Sequence, residues 1–253
     1  MKIIHLSDLH FGTESDFIVD HLRSAVKDIG ADLVIVSGDF TQIASHEEFI
    51  KTKGFLESLE IPTFCVPGNH DIPRYHPGER VIAPYFRYKK YISPTLCPVF
   101  ENEEIVIAGM NSARRILPHW NWANGAVSAR QLQFLHKTYA GAENRLRLCV
   151  LHHPLHKAEG VPLDVTVFGG KRALNKILDL NVHLVLSGHV HFASTTLIKN
   201  TVFASASTAL SNRLRDQENG FNLVSVGGGF FEITHFTYDG AGFCQASRSH
   251  YQV

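Results

Sequence analysis

Short apolar runs alternate with segments of helical spacing over the first 70 residues. Runs at 2–7, 33–36 and 62–66 are typical of strands, and the wholly apolar run at 33–36 indicates a central strand buried on both faces. Between these runs, residues 17–29 and 46–59 carry apolar side chains at helical intervals. The resulting β-α-β-α-β order predicts a domain of the α/β class.

The same alternation continues further along the chain. It predicts helices at 79–91, 128–139 and 168–180, and strands at 104–108, 147–151 and 183–186. After residue 191 the pattern predicts antiparallel strands joined by tight turns, at 195–198, 202–205, 221–226 and 230–237. No repeat or low-complexity linker interrupts the sequence, so we expect a single domain over residues 1–253. Residues 111–126 lack periodicity and are predicted to form a lid or rim loop.

Composition narrows the classes of function. Of the 253 residues, 44% are hydrophobic, which suffices for a sizeable core. Lys plus Arg and Asp plus Glu number 24 each, so no net charge draws the protein to nucleic acid or an acidic membrane, although a local basic patch stays possible. Neither a signal peptide nor a membrane span of about 18 apolar residues is visible, and the four cysteines form no CxxC pair. We therefore expect a cytoplasmic protein without a membrane partner.

Five short polar motifs each follow a predicted strand directly. They are D-L-H at 8–10, G-D at 38–39, G-N-H-D at 68–71, H-H at 152–153 and G-H-V-H at 188–191. The carboxyl ends of strands in an α/β sheet form the ligand crevice, so all five can meet at one site. Carboxylate, amide and imidazole groups without thiolates favour Mn, Fe or Zn. Each motif alone is weak, but the ordered set is specific for a metal site.

The ordered motifs resemble those of the calcineurin-like metallophosphoesterases, and the resemblance spans residues 8–191. The opening HLSDLHFG and the closing SGHVH are similar to bacterial class III cyclic-nucleotide phosphodiesterases and glycerophosphodiesterases. This resemblance implies a four-layer α-β-β-α sandwich, in which two mixed sheets are flanked by helices. It also implies a binuclear metal-dependent phosphodiesterase, in which a metal-bridging hydroxide attacks a small phosphodiester.

The resemblance implies a role for each motif residue. One of two metal ions would be held by Asp8, His10, Asp39 and His191. The second ion would be held by Asn69, His152 and His189, with Asp39 bridging to it. His70 would not bind metal; it would face the substrate as the catalytic residue, steadied by Asp71.

The H-H motif leaves two alternatives. His152 and His153 follow the same strand, and His152 lies two residues before Pro154, as the ligand usually does in the family. We therefore take His152 as the ligand and expect His153 to line the substrate site.

Residues after the strand at 104–108 are further candidates for substrate contact. Asn111, Arg114 and Arg115 follow it, and an arginine there could hold a phosphate bidentately. The alternative is surface charge, with Asn111 in a turn. Trp120 and Trp122 either stack on a base or anchor their loop.

Two other functions share this set of motifs. A nuclease or nucleotide phosphatase could use the same metal core, but a nuclease should carry a basic groove. A catalytically silent interaction scaffold should have lost His70 or several ligands, and none is missing. No dense Arg or Lys cluster adjoins the motifs, which favours a diester over a dianionic monoester. The oligomeric state stays open.

Overall fold

The computed structural model describes residues 1–142, 144–157, 160–161, 165–214, 217–227 and 229–252. The helices are α1 (Asp16–Ile29), α2 (His46–Ser58), α3 (Pro77–Ile82), α4 (Phe86–Tyr91), α5 (Ala129–Tyr139) and α6 (Gly170–Asp179). Up to α6, the strands are β1 (Lys2–Leu6), β2 (Leu33–Val36), β3 (Thr63–Cys65), β4 (Val99–Glu101), β5 (Ile105–Met110), β6 (Gly125–Ala126), β7 (Leu146–Leu151) and β8 (Val167–Phe168). They are followed by β9 (Leu184–Ser187), β10 (Ser194–Ile198), β11 (Thr201–Ser205), β12 (Gly220–Gly227), β13 (Phe230–Tyr238) and β14 (Phe243–Gln252). Among the described residues, no helix has both the length and the apolar character needed to cross a membrane.

Two six-stranded mixed sheets form the centre of the fold. The first has the order β14-β13-β12-β1-β2-β3, and the second has the order β10-β11-β9-β7-β5-β4. In the first sheet β1, β2 and β3 run parallel, whereas β12 pairs with β1 antiparallel. In the second sheet β5, β7, β9 and β11 run parallel. The parallel strands therefore bring their carboxyl ends to one edge of each sheet.

Three apolar clusters separate four layers. Strand β1 shows the alternation: Ile3 packs between the sheets with Leu148 and Leu186, while Ile4 packs on the outer face of the first sheet with Leu22 of α1. Helices α5 and α6 cover the outer face of the second sheet. Successive side chains on a strand point to opposite faces, so each buried strand contributes to two cores. The expected α-β-β-α sandwich is confirmed.

Two predicted helices have different bounds in the structure. The segment at 79–91 forms two short helices instead of one, because Pro84 lacks a backbone N–H and its ring disfavours helical geometry at Ala83, where φ is −138° and ψ is 56°. The helix predicted at 168–180 begins only at Gly170, because Phe168 ends β8 and Gly169 adopts a left-handed conformation.

The strands after residue 191 are only partly as predicted. As predicted, these strands pair antiparallel with one another, β10 with β11 and β12 with β13, and β11 also pairs parallel with β9, which precedes them in the chain. Strand β14 was not predicted, because it lies at the sheet edge and its exposed residues give no apolar alternation.

Candidate metal centre

All five motifs meet where the carboxyl edges of the two sheets adjoin. Strands β1, β2 and β3 of the first sheet lead into residues 8–10, 38–39 and 68–71, and β7 and β9 of the second lead into 152–153 and 188–191. We call the seven predicted ligands the histidine–carboxylate cluster: Asp8, His10, Asp39, Asn69, His152, His189 and His191. All except His189 are less than 10% exposed, and His189 is half-buried.

One half of the cluster surrounds Asp8. The carboxylate oxygen Oδ1 of Asp8 lies 3.1 Å from His191 Nε2 and 3.6 Å from His10 Nε2. The two imidazole nitrogens lie 3.1 Å apart. Ligands about 2.1 Å from one ion stand roughly 3 Å apart, so these atoms have the spacing of a common coordination shell.

The other half surrounds Asp39, which also contacts the first half. Asp39 Oδ2 lies 3.2 Å from His152 Nε2 and 3.7 Å from His10 Nε2. His189 Nδ1 lies 3.3 Å from His152 Nε2. Asp39 is thus the carboxylate that lies between the two halves.

The donors suit divalent or trivalent metal ions. Asp8 Oδ1 and Asn69 Oδ1 are buried and have no hydrogen-bond partner among the described residues. His152 and His191 each donate a proton from Nδ1 to a backbone carbonyl, of Ser37 (2.8 Å) and Arg213 (2.9 Å), which directs Nε2 inwards. This orientation by a carbonyl is typical of metal-binding histidines. The residues present therefore fit bound metal.

In the absence of metal, Asp8 and Asp39 carry the negative charge of the cluster and His152 carries positive charge. Burial would raise the pKa of Asp8 and Asp39, but neighbouring histidines outweigh it and hold both below their usual range. Burial lowers the pKa of His189 to about 3, aided by the charge of His152. For His152, burial is outweighed by Asp39, Asp8 and the Ser37 carbonyl, which raise the pKa to about 9.

The backbone of the cluster is strained. Asp8, His10, Asp39, His189 and His191 all have positive φ, between 46° and 70°. Non-glycine residues seldom adopt this region, and such strain collects at functional sites. Two of the motif glycines have no room for a side chain. A Cβ on Gly68 would lie 2.1 Å from Asp39 Oδ1, and a Cβ on Gly188 would lie 1.7 Å from Ser7 Oγ.

His70 lies beside the cluster, but Asp71 does not hold its ring. The Nδ1–H of His70 donates to the Gln42 carbonyl (2.7 Å), which leaves Nε2 as an acceptor 3.4 Å from Arg213 Nη1. Burial lowers the pKa of His70, and Asp39 only partly offsets this. The expected support of the His70 imidazole by Asp71 was therefore wrong.

Asp71 instead ties two ligand loops together. Its carboxylate is fully buried and accepts hydrogen bonds from the backbone N–H groups of Gly68, Asp39 and Thr41 and from the Thr41 hydroxyl, at 2.8–3.1 Å. Burial and the neighbouring Asp39 charge raise the pKa of Asp71 to about 8, whereas these four donors favour the carboxylate. Asp71 therefore holds the loop after β2 against the loop after β3.

The two histidines of the H-H motif have different surroundings. Although the rings of His153 and His189 lie 4.5 Å apart, both ring nitrogens of His153 are hydrogen-bonded. Its Nε2–H donates to the Ala123 carbonyl (2.8 Å), and its Nδ1 accepts from the Ser112 hydroxyl (2.7 Å). The side chain is buried, so the geometry favours His152 as the ligand and does not support substrate contact by His153.

The other predicted substrate residues support their loop. Asn111 is buried, and its Oδ1 accepts from the Ala113 N–H. The Arg114 guanidinium donates to the carbonyls of Asn111 and Ala113 and to Gln131 Oε1, at 2.6–2.7 Å. The guanidinium of Arg115 donates to the Val81 carbonyl. The expectation that these residues contact phosphate is not supported, because their polar groups are used within the fold.

Sequence reasoning missed most of the residues that surround His70, although it named Asn69 and Trp122. A cavity of about 270 Å³ is lined by Gln42, Asn69, His70, Ile72, Arg74, Arg80, Asn121, Trp122 and Ala123. The Arg80 guanidinium lies over the Trp122 ring, 5.2 Å from its centroid. Arg213 reaches the site from the connection between β11 and β12, which carries no motif. The only sequence signal was that arginine is frequent at phosphate sites.

Comparison with known sequences agrees with this geometry. The family model described as calcineurin-like phosphoesterase matches residues 1–193. A probable glycerophosphodiester phosphodiesterase of Arcobacter nitrofigilis is 28% identical over 180 residues, 70% of this chain and 63% of that protein. A probable cyclic nucleotide phosphodiesterase of Fibrobacter succinogenes is 26% identical over 227 residues, 83% and 80% of the two chains. The matched region spans less than two thirds of the Arcobacter protein.

Solved structures agree on the fold. A dimetal phosphatase from Danio rerio superposes with a TM-score of 0.71 at 12% identity, covering 100% of this chain and 98% of the other. Identity at this level supports the architecture alone. Since the family model covers more than half of the sequence, the chain belongs to the calcineurin-like phosphoesterase family.

Proposed function

We propose that the protein is a binuclear metal-dependent phosphodiesterase acting on small phosphodiesters, of the cyclic-nucleotide or glycerophosphodiester type. The observation that carries this proposal is the contact of Asp39 with both halves of the histidine–carboxylate cluster, beside the ring of His70. Asp8, His10, Asp39 and His191 would hold one ion, and Asp39, Asn69, His152 and His189 the other. Relatives described as phosphodiesterases support the substrate class.

The chain's own residues have separate tasks in this proposal. Two ions of Mn, Fe or Zn would supply Lewis acidity and an activated water for attack on phosphorus. His70 directs Nε2 to the cavity because its Nδ1 proton is held by Gln42. Once protonated, Nε2 can donate a proton to the departing alkoxide oxygen. Asp71 holds together the loops that carry Asp39 and Asn69, because its carboxylate accepts hydrogen bonds from backbone N–H groups of both loops.

The size of the cavity beside His70 is compatible with a small alcohol portion of a diester. The apolar cluster between the sheets contains residues from β1 to β13. This shared core supports the proposal that residues 1–253 form one catalytic domain.

The experiment is a substrate screen of Mn-loaded protein, with chelated protein as the blank. Cyclic nucleotides, glycerophosphodiesters, bis-p-nitrophenyl phosphate and p-nitrophenyl phosphate are compared by kcat/KM. We expect diester hydrolysis that depends on metal and two ions per chain by elemental analysis. Fully active protein with one ion or fewer per chain would contradict the binuclear mechanism.

A monoester phosphatase is the second candidate, because Arg213 lies next to His70. A guanidinium there could neutralise the extra charge of a monoester dianion. A higher kcat/KM for p-nitrophenyl phosphate than for its bis ester, lost in Arg213→Ala, would favour the phosphatase over the diesterase.

A further inference from the structure

An exposed apolar surface borders the cavity beside His70. Ile82 is 84% exposed, Trp120 is 88% exposed and Tyr75 is 66% exposed, which is unusual for side chains of this size. Other large exposed side chains occur in the same two segments, residues 74–91 and 111–126. We call the set the apolar rim: Tyr75, Ile82, Phe86, Ile116, Trp120 and Trp122.

Hydrogen bonds join the two segments to each other. Arg80 Nε donates to the Arg115 carbonyl (2.8 Å), and Arg115 Nη1 donates to the Val81 carbonyl (2.5 Å). The Tyr85 hydroxyl donates to the Ala113 carbonyl (2.7 Å). These bonds fix the loop at 111–126 against α3 and α4. Because Arg80 and Trp122 also line the cavity, the surface reaches the mouth of the candidate site.

The charge of this surface differs from that of the whole chain. Residues 74–91 and 111–126 contain seven Lys or Arg residues but only one acidic residue, Glu79. In the whole chain the two kinds are equal, with 24 Lys or Arg and 24 Asp or Glu residues. Glu79 is already paired with the buried Arg87. Arg74, Lys89, Lys90 and Arg115 are exposed. Phe86 and Lys90 stand one turn apart on α4, so apolar and cationic groups are presented together.

We propose that the apolar rim and its cations dock on an anionic lipid bilayer. Tryptophan, tyrosine, lysine and arginine are the side chains that settle at the boundary between lipid head groups and acyl chains. The positive charge complements anionic lipids, and the aliphatic Ile82 and Ile116 require an apolar partner. Docking in this way would turn the cavity towards the bilayer surface.

Two other occupants fit the surface less well. A symmetric second copy would bring two positively charged patches together, because both partners of a twofold interface use the same patch. A nucleic acid would complement the charge and could stack on the tryptophans, but Ile82 and Ile116 offer it neither stacking nor hydrogen bonds. From the zero net charge of the chain we expected no attraction to an acidic membrane. The local excess of cations in these two segments is the reason to propose membrane binding.

The test uses the full chain without substrate, so its outcome is separate from that of the proposed function. The chain has only two tryptophans, Trp120 and Trp122, and both lie in the apolar rim. Their fluorescence therefore reports directly on the docking face. We expect a blue shift of emission and co-flotation with phosphatidylcholine vesicles that contain about a third phosphatidylglycerol. Pure phosphatidylcholine vesicles and high salt should weaken both signals.

A matched pair of variants makes the test specific. Ile82→Asp should reduce vesicle partitioning by roughly tenfold, because it removes an exposed apolar group and opposes the anionic lipid. Leu197→Asp, at a 57% exposed leucine on β10, should change partitioning less than about twofold. Thermal unfolding of both variants checks that they are folded.

Three results would overturn the proposal. The first is the absence of partitioning and of a blue shift with anionic vesicles. The second is an equal loss in Ile82→Asp and Leu197→Asp. The third is tighter binding to an oligonucleotide or a salt-stable dimer formed through this face, with no vesicle binding.

Discussion

The histidine–carboxylate cluster and the apolar rim adjoin the same cavity, but they are built differently. In the cluster, five residues have left-handed φ and the ligand loops are held by backbone donors to Asp39 and Asp71. At the rim, side chains are largely exposed, and a few side-chain to carbonyl hydrogen bonds hold the loop. A substitution in the cluster should therefore disturb several neighbouring groups at once, whereas a substitution at the rim should affect one side chain.

The largest effect is expected for Asp39→Ala. This change removes the carboxylate that contacts both halves of the cluster, so hydrolysis of diesters should fall by at least about a thousandfold and metal content should drop. Elemental analysis and kcat/KM measure the two effects. The comparison is His10→Ala, which affects one half; if Asp39→Ala kept more activity and metal than His10→Ala, the bridging role would be refuted.

The second prediction separates chemistry from metal binding. His70→Ala should leave metal content nearly intact and lower the hydrolysis of alkyl diesters by about 10²–10⁴-fold, because a basic alkoxide needs a proton as it leaves. Nitrophenyl diesters should lose less, since nitrophenolate is stable as an anion. Both substrates are measured on one preparation by kcat/KM, so misfolding cannot produce the difference. Equal losses would mean that His70 positions substrate and does not act as an acid.

The third prediction concerns the layer beneath the cluster. His5 is fully buried and its Nε2 lies 2.9 Å from Ser37 Oγ; burial lowers its pKa to about 3. The unfolded chain therefore binds more protons, and the stability gained from a neutral His5 is present above pH 6.5 and lost as the pH falls towards 3. Between pH 7 and pH 5 the free energy of unfolding of metal-free protein should drop by about 2 kcal/mol from this residue.

Urea unfolding of the metal-free protein at both pH values measures this drop. His5→Asn should remove that part of the pH dependence, whereas His136→Gln, at an exposed position, should keep it. An unchanged pH dependence in His5→Asn would show that other groups account for the drop.

The smallest effect is expected for Arg114→Ala, near the rim. Its guanidinium is used by the Asn111 and Ala113 carbonyls, so the change should lower the free energy of unfolding by about 1–2 kcal/mol and leave KM for diesters unchanged. Lys137→Ala, on the exposed face of α5, is the control for loss of a surface cation. A clear rise in KM without loss of stability would restore Arg114 as a substrate contact.

The sequence predicted the cluster better than its surroundings. Asp8, Asp39 and His152 lie directly after buried parallel strands, so their convergence follows from local pattern and topology. The hydrogen-bond partners of Asp71 could not be predicted from the sequence. The Asp71 carboxylate accepts from backbone N–H groups, and every residue type except proline has such a group. Arg213 was missed because a long connection without periodicity carries it to His70.

The remaining errors in the fold have local causes. A proline after Ala83 divided one helical pattern into two helices. The edge strand β14 has polar residues on exposed positions, so its hydrogen bonding to β13 left no hydrophobic signal.

The hydrogen bonds of His153 give the loop at 111–126 an anchor that is independent of its middle. Ser112 and Ala123, near the two ends, are both bonded to the ring of His153 on the strand end next to His152. The intervening residues could therefore be exchanged by recombination or mutation while the ends keep their place beside the metal ligands. Changes between Ser112 and Ala123 can thus alter the surface beside the cavity while the loops that carry the metal ligands keep their geometry.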